Sequence, residues 1–379
     1  MPQTARMPAP RYPAPLRDDP ADWLRLVRSR RIGPVTFHRL LADHGSVTEA
    51  LRVLPDIARA AGVESYEACP IGVALGEMKQ ARAAGAVMLR WGDADYPQAL
   101  MDLADAPPVL WMRGDRSLLA RPKVALVGAR SASSLGLRMA RRLGESLGAA
   151  GVVVVSGLAR GVDTEAHAAA LTTGTVAVMA GGVDQIYPVE NTRLAADILA
   201  QGCLVSEQPM GMAPQARHFP MRNRIISGLS RAVVVVEAAV KSGSLITAET
   251  ALDQGRDVLA VPGHPFDARA AGCNRLIRDG ATLVRSAADV LEALGLPARN
   301  PALQPPQMRP QSPAADSRFA TVTALHTLIL SRLGPSPLAE DQLIRDLAVP
   351  AAVVTPELVV LELAGRIERQ AGGLLARLT

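Results

Sequence analysis

Seven short runs rich in β-branched residues, KVALVG, GVVVVSG, TVAVMAGG, CLVSE, AVVVVEA, DVLAVPG and ATLV, begin at residues 123, 151, 175, 203, 232, 257 and 281. A strand with one wet face alternates apolar and polar side chains. These runs are apolar almost throughout, so both of their faces are buried. Helix-length stretches lie between them, as crossovers between parallel strands require. The pattern predicts an α/β domain with a Rossmann-like, doubly wound, mostly parallel sheet over residues 81–295.

With 379 residues the chain is too long for one ordinary core, and the flanks read as separate units. Residues 1–17 are a Pro-rich stretch with the composition of a disordered tail, and residues 18–80 carry short Leu-faced helices joined by Ile32-Gly33-Pro34. That turn suits a small SAM-like or helix-hairpin-helix domain, and with a single glycine it reads as packing rather than as a phosphate hairpin. Residues 296–318 hold six prolines and little that is apolar, the composition of a stiff linker. In residues 319–379, apolar repeats at Val322, Leu325, Ile329 and Leu333, then Leu343 and Leu347, then Leu358 and Leu361 precede a hairpin around Gly372-Gly373, which predicts a winged helix.

Several function classes drop out. No apolar run reaches the roughly 18 residues that argue a membrane span. The cysteines at 69, 203 and 273 have neither metal-ligand spacing nor the density of a disulfide scaffold, so no metal is expected and the expected compartment is cytoplasmic. The net charge of +5 permits a polyanionic partner. Of 41 basic residues only Lys79, Lys123 and Lys241 are lysines. Guanidinium pairs with phosphate through two bonds, but an arginine excess is equally a compositional bias, so position has to decide.

Position points to the carboxyl ends of the strands, where doubly wound sheets bind ligands. After the first run comes Gly128-Ala129-Arg130-Ser131, with a helix behind it whose amides and arginine suit an anion. It lacks the second glycine and the acidic strand end of a dinucleotide fold, so no nucleotide cofactor is expected. Ser156-Gly157-Leu158-Ala159-Arg160 follows the second run. Asp163 and His167 beyond it read as a second cradle or, alternatively, as a helix cap and a packed ring. The stretch from Gln208 to Val236 has no carboxylate but carries Arg217, Arg222, Arg224 and Arg231. On a helix Arg222 and Arg224 stand about 200° apart, so one can face a cleft while the other contacts protein. Phe219 reads equally as a base platform or as core. Lys241-Ser242-Gly243-Ser244 opens a further helix with amides and hydroxyls for an anion. No paired carboxylates, metal cluster or Ser-His arrangement joins these groups, so no catalytic residue is expected.

The ordered motifs GAR (128–130), SGLARGVDTEAH (156–167), AGGVDQIYPVEN (180–191), FPMRNRIISGLS (219–230), SGSLITA (242–248) and GRDVLAVPG (255–263) resemble the DNA-processing protein A family, DprA or Smf, in its longer form. The resemblance implies a homodimer that binds single-stranded DNA, protects incoming DNA during natural transformation and loads the RecA recombinase, with no catalytic activity. It assigns DNA contact to Gly128, Arg130, Ser156, Gly157, Phe219, Arg222, Asn223, Arg224, Ser242, Gly243 and Ser244, and with less weight to Arg160. Two alternatives compete. One is a nucleotide-processing enzyme similar to the LOG phosphoribohydrolases, using Glu249, although Ile246 stands where that motif has Thr. The other is an adaptor acting through its winged helix over a vestigial groove; residues 319–379 carry five arginines and six carboxylates, a poor balance for gripping duplex DNA.

Overall fold

The computed structural model describes residues 18–297, 322–370 and 372–378. The proposed tail 1–17 and most of the proposed linker 296–318 lie outside the described residues. Four front helices come first: α1 (Pro20–Arg28), α2 (Pro34–His44), α3 (Val47–Ala60) and α4 (Ile71–Ala83). Asp19 caps α1 and Ser46 caps α3 through their side-chain oxygens, while Gly33-Pro34 starts α2. Next come β1 (Val87–Arg90), the short α5 (Gln98–Met101) and β2 (Val109–Gly114). The α/β unit then runs β3 (Lys123–Val127), α6 (Ser134–Ala149), β4 (Val153–Ser156), α7 (Val162–Ala170), β5 (Thr175–Val178), α8 (Thr192–Gln201), β6 (Cys203–Ser206), α9 (His218–Leu229), β7 (Ala232–Val235), α10 (Gly243–Asp253), β8 (Asp257–Ala260), α11 (Ala271–Arg278), β9 (Thr282–Leu283) and α12 (Ala287–Ala293).

The nine strands form one sheet in the order β1-β2-β6-β5-β4-β3-β7-β8-β9. From β6 to β9 all pairing is parallel, with Val124 opposite Val154 on one side and Ala232 on the other. All seven predicted runs are strands. Two further strands were not predicted: β2 pairs antiparallel with β6, and β1 antiparallel with β2. Their composition hides them, since β1 is partly exposed and both contain arginine. The sheet's two faces separate by residue parity, as a strand dictates. Val124, Leu126, Val154 and Val234 pack under α6, α7 and α12. Ala125, Val127, Val155 and Val235 face the opposite core, which continues without a break into Trp23, Leu26 and Phe37 of the front helices.

The chain builds β3 to β6 outward in one direction and then returns to place β7 on the other side of β3. Loops leaving β3 and β7 therefore diverge, and a crevice opens beyond their carboxyl ends. The C-terminal unit has α13 (Val322–Arg332), β10 (Leu338–Ala339), α14 (Glu340–Leu347), α15 (Ala351–Leu363), β11 (Ile367–Gln370) and β12 (Leu374–Arg377). Strands β11 and β12 form the predicted wing, and the core from Leu325 to Leu375 is wholly its own. Helix α15 starts at Ala351, directly after Pro350, and carries Pro356 inside its second turn. Among the described residues no helix is long and apolar enough to cross a membrane.

Candidate nucleic-acid interface

A cleft of about 630 Å³ lies at the crevice, walled by the β3 loop, α9 and the start of α10. The β3 loop is stitched to the end of β7, since Ala129 N–H donates to Glu237 O at 2.7 Å. Gly128 lets the loop sit against Val162, whose side chain a Cβ there would overlap. Ser133 then caps α6, accepting from Gly136 N at 3.0 Å. The carboxylate of Glu237 takes both the N–H and the Oγ–H of Ser133, at 2.9 and 2.5 Å. Burial raises the pKa of Glu237, and the Ser133 bonds oppose that rise. At the start of α6, expected to serve an anion, the Ser133 amide and hydroxyl are thus already engaged by a carboxylate of the protein, and the Gly136 amide by the Ser133 hydroxyl. What the loop offers the cleft is Arg130.

Arg130 is exposed, and its guanidinium lies 5.2 Å from the centre of the Phe219 ring. Phe219 in turn tilts at 57° to Tyr187, with centroids 5.9 Å apart. Phe219 is half-buried on the cleft wall, so of its two readings the core is the one it does not follow. Tyr187, in the motif at 180–191 and without an assigned role, is 49% exposed beside Phe219 and extends the aromatic surface.

The β4 loop behaves differently from expectation. Ser156 is fully buried and donates to Leu126 O at 2.6 Å, across the sheet and away from the cleft. Asp163 accepts from Gly157 N at 3.0 Å and from Ala159 N at 3.3 Å. Leu158, held at φ +55°, donates its N–H to His167 Nε2 at 3.3 Å. His167 Nδ1 lies 2.7 Å from Thr175 Oγ1, whose hydrogen goes to Val154 O at 2.9 Å. The ring is therefore neutral with its proton on Nδ1, and burial pushes its pKa down to about 3. Every loop amide from 157 to 159 has an internal partner, so this turn is a rigid floor and not a second cradle. Arg160 stands outside the cleft lining, exposed and 3.7 Å from Glu190.

On α9 the two arginines part company. Arg222 reaches under the cleft, where its Nη1 donates to Gly157 O at 2.6 Å and Val178 O at 2.5 Å, and its Nε to Asn223 Oδ1 at 3.3 Å. Burial lowers its pKa to about 10, against the pull of Asp163, so it stays charged at neutral pH. Gly157 is required there, because a Cβ would overlap the guanidinium. Asn223 lines the cleft beside it. Arg224 corrects the expectation of a DNA contact: it is buried on the far side of α9, paired with Glu207 and donating to Asp105 O at 2.6 Å. Two residues along a helix turn through about 200°, so the two arginines leave opposite faces of α9.

Helix α10 supplies the open anion end. Ser242 caps it weakly, 3.4 Å from Ser244 N, and the two hydroxyls lie 2.7 Å apart. Gly243 is exposed on the cleft lining and a Cβ there would meet nothing within 4 Å, so this helix start is open next to the exposed Lys241. Glu249 does not line the cleft. Arg269, which the sequence did not single out, does. The structure thus gathers Gly128, Arg130, Phe219, Arg222, Asn223, Ser242, Gly243 and Ser244 at one trough. It places Gly157 just beneath, and Ser156, Arg160 and Arg224 elsewhere. Among the described residues no cluster of His, Cys, Asp or Glu could hold a metal ion.

Three family models match the chain: a DprA-like N-terminal HHH domain over residues 17–80, DNA recombination-mediator protein A over 87–295 and a DprA winged helix domain over 306–373. The DNA processing protein DprA of Streptococcus pneumoniae is 47% identical over 201 residues, spanning 52% of this chain and 71% of that protein. Protein Smf of Escherichia coli is 39% identical over 281 residues, 73% of this chain and 74% of that protein. The X-ray structure of the pneumococcal protein superposes with a TM-score of 0.61 at 37% identity, covering 72% of this chain and 97% of the other. A structure describing the single-stranded DNA binding mode of DNA processing protein A from Helicobacter pylori gives 0.51 at 30% identity, covering 55% and 95%.

Proposed function

We propose that this chain, which belongs to the DNA-processing protein A (DprA/Smf) family, grips single-stranded DNA in the cleft beyond β3 and β7. Its contacts are sequence-independent and it breaks no bond. The observation that carries this reading is the trough itself. Arg130 lies over Phe219 on one wall, Lys241 and the open start of α10 stand on the other, and the buried charge of Arg222 lies below. A flexible strand can present a phosphate to the cations and amides while one base stacks on the aromatic face, and duplex bases cannot turn out in this way. The binding seen in the Helicobacter relative supports the same role here. Within it we place protection of incoming DNA in natural transformation, loading of the RecA recombinase, action as a homodimer and a cytoplasmic location. For the winged helix we propose a protein-contacting or regulatory role. Glu357 and Glu362 sit on α15, the helix that would face a duplex, paired with His326 and Arg369.

Fluorescence anisotropy with single-stranded and duplex oligonucleotides tests the reading. Single strands bind more tightly, and log affinity falls linearly with log salt. Arg130→Ala lessens that slope by about 0.7, the value of one phosphate contact on a single strand. Equal binding of duplex, or an unchanged slope, refutes the assignment.

A further inference from the structure

Arg269 lines the strand cleft, yet four of its N–H bonds are already used inside the protein. Its Nε and Nη2 hold the Asp267 carboxylate at 3.0 and 2.9 Å. The outer edge of the guanidinium points to the winged helix, where Nη1 donates to Ser331 O at 2.6 Å and Nη2 to Leu333 O at 2.9 Å. Those carbonyls close the C-terminal end of α13, where unpaired acceptors and the helix dipole favour a cation. A second tether comes from Arg332, whose Nη1 donates to Ala132 O at 2.9 Å, two residues past Arg130 in the β3 loop. The small domain therefore holds the β3 loop and the Arg269 edge of the trough at one end.

The docking is polar and loose. A gap of about 440 Å³ remains between the two units, and Arg332 Nε is buried without a partner among the described residues. Among the described residues, none of the winged-helix core belongs to the cores on either side of the sheet. Interfaces of this kind permit domain motion.

We propose, resting on the strand-binding reading above, that a DNA phosphate and the end of α13 compete for the same edge of Arg269, so that the docked winged helix closes one phosphate subsite and strand binding releases it. The edge in question presents one N–H from each Nη, the fork that a phosphate accepts in bidentate fashion, and an anionic acceptor outbids two neutral carbonyls. Asp267 keeps the guanidinium oriented in both states. Linkage makes the coupling reciprocal: a partner that undocks the winged helix tightens strand binding, and a bound strand exposes the winged helix.

The test uses the full chain carrying Gly334→Leu and Arg332→Ala. A Cβ at 334 would stand 2.9 Å from Arg269 Nη2 and 3.0 Å from Asp267 Oδ2, so a leucine forces the units apart while every cleft residue is kept. Energy transfer between dyes at exposed positions 252 and 363 reports docking, and anisotropy with an oligothymidylate across a salt series reports binding. The expected result is lower transfer, several-fold tighter binding and a salt slope steeper by about 0.7. Adding Arg269→Ala removes the gain. In the unsubstituted chain the oligonucleotide alone lowers transfer. Lower transfer with an unchanged slope, or an oligonucleotide that leaves transfer unchanged, overturns the proposal. Should the double variant stay docked, the chain ending at residue 297, which retains both sheet cores, must show the steeper slope or the proposal fails. If no form binds the oligonucleotide, it is the strand-binding reading that has failed.

Discussion

His167 makes the floor of the trough sensitive to acid, and the size of the effect follows from its two hydrogen bonds. In the folded protein Nε2 accepts from Leu158 N–H, and Nδ1 donates to Thr175 Oγ1. A second proton on the ring would set N–H against N–H at Leu158, in a fully buried site, so the folded pKa is driven to about 3 while an unfolded histidine stays near 6.5. With the folded pKa depressed, the unfolded chain binds the extra proton first. Stability is full above the unfolded value and is lost as pH falls from 6.5 towards 3. Between pH 7 and pH 5 the unfolded imidazole becomes almost wholly protonated and the folded one does not, which removes about 2 kcal/mol. That figure depends on the unfolded value alone, since pH 5 lies well above the folded one. Urea unfolding of the wild type and of His167→Gln at both pH values measures it. Glutamine can accept from Leu158 but does not titrate, so its loss of stability over the interval should be smaller by about 2 kcal/mol. Contributions from His38 and His218, also lowered by burial, cancel in the difference. Equal losses in the two proteins would refute the assigned proton and the role of the ring.

Gly157→Ala should weaken folding by about 1–3 kcal/mol, because the added methyl forces the Arg222 guanidinium from under the cleft; strand affinity should fall with it, and retention of both stability and binding would contradict the packing described. Arg224→Met removes one member of a buried pair and strands Glu207, costing about 3–5 kcal/mol in urea unfolding. Its salt slope for oligonucleotide binding should match the wild type, whereas a reduced slope would return Arg224 to the strand. Phe219→Ala should cost about 1–3 kcal/mol of single-strand affinity, the worth of one stacked base, with the salt slope unaltered.

The sheet was legible in the chain because its signal is local. Uniform β-branched runs have few other uses, and the hairpin at Gly372-Gly373 marks the wing just as directly. The antiparallel pair β1 and β2 was not, since β1 is short and partly exposed and each strand carries an arginine, Arg90 and Arg113, so neither follows a simple period. At the site, residue type alone pointed correctly to the strand ends but not to which groups stay free there. The helices behind β3 and β7 both begin with serine and glycine. One has the amide and hydroxyl of its cap residue Ser133 taken by Glu237, 104 residues away, and the other opens to the cleft. Likewise Arg222 and Arg224 are alike in sequence, and Glu207 and Gly157, at positions far from both, decide which one faces the trough. The order of amino acids determined where buried strands and anion-friendly turns could form. Which donors remained unspent was decided only on folding, because a hydrogen bond is satisfied by whatever acceptor the packed chain brings within 3 Å, however distant in sequence.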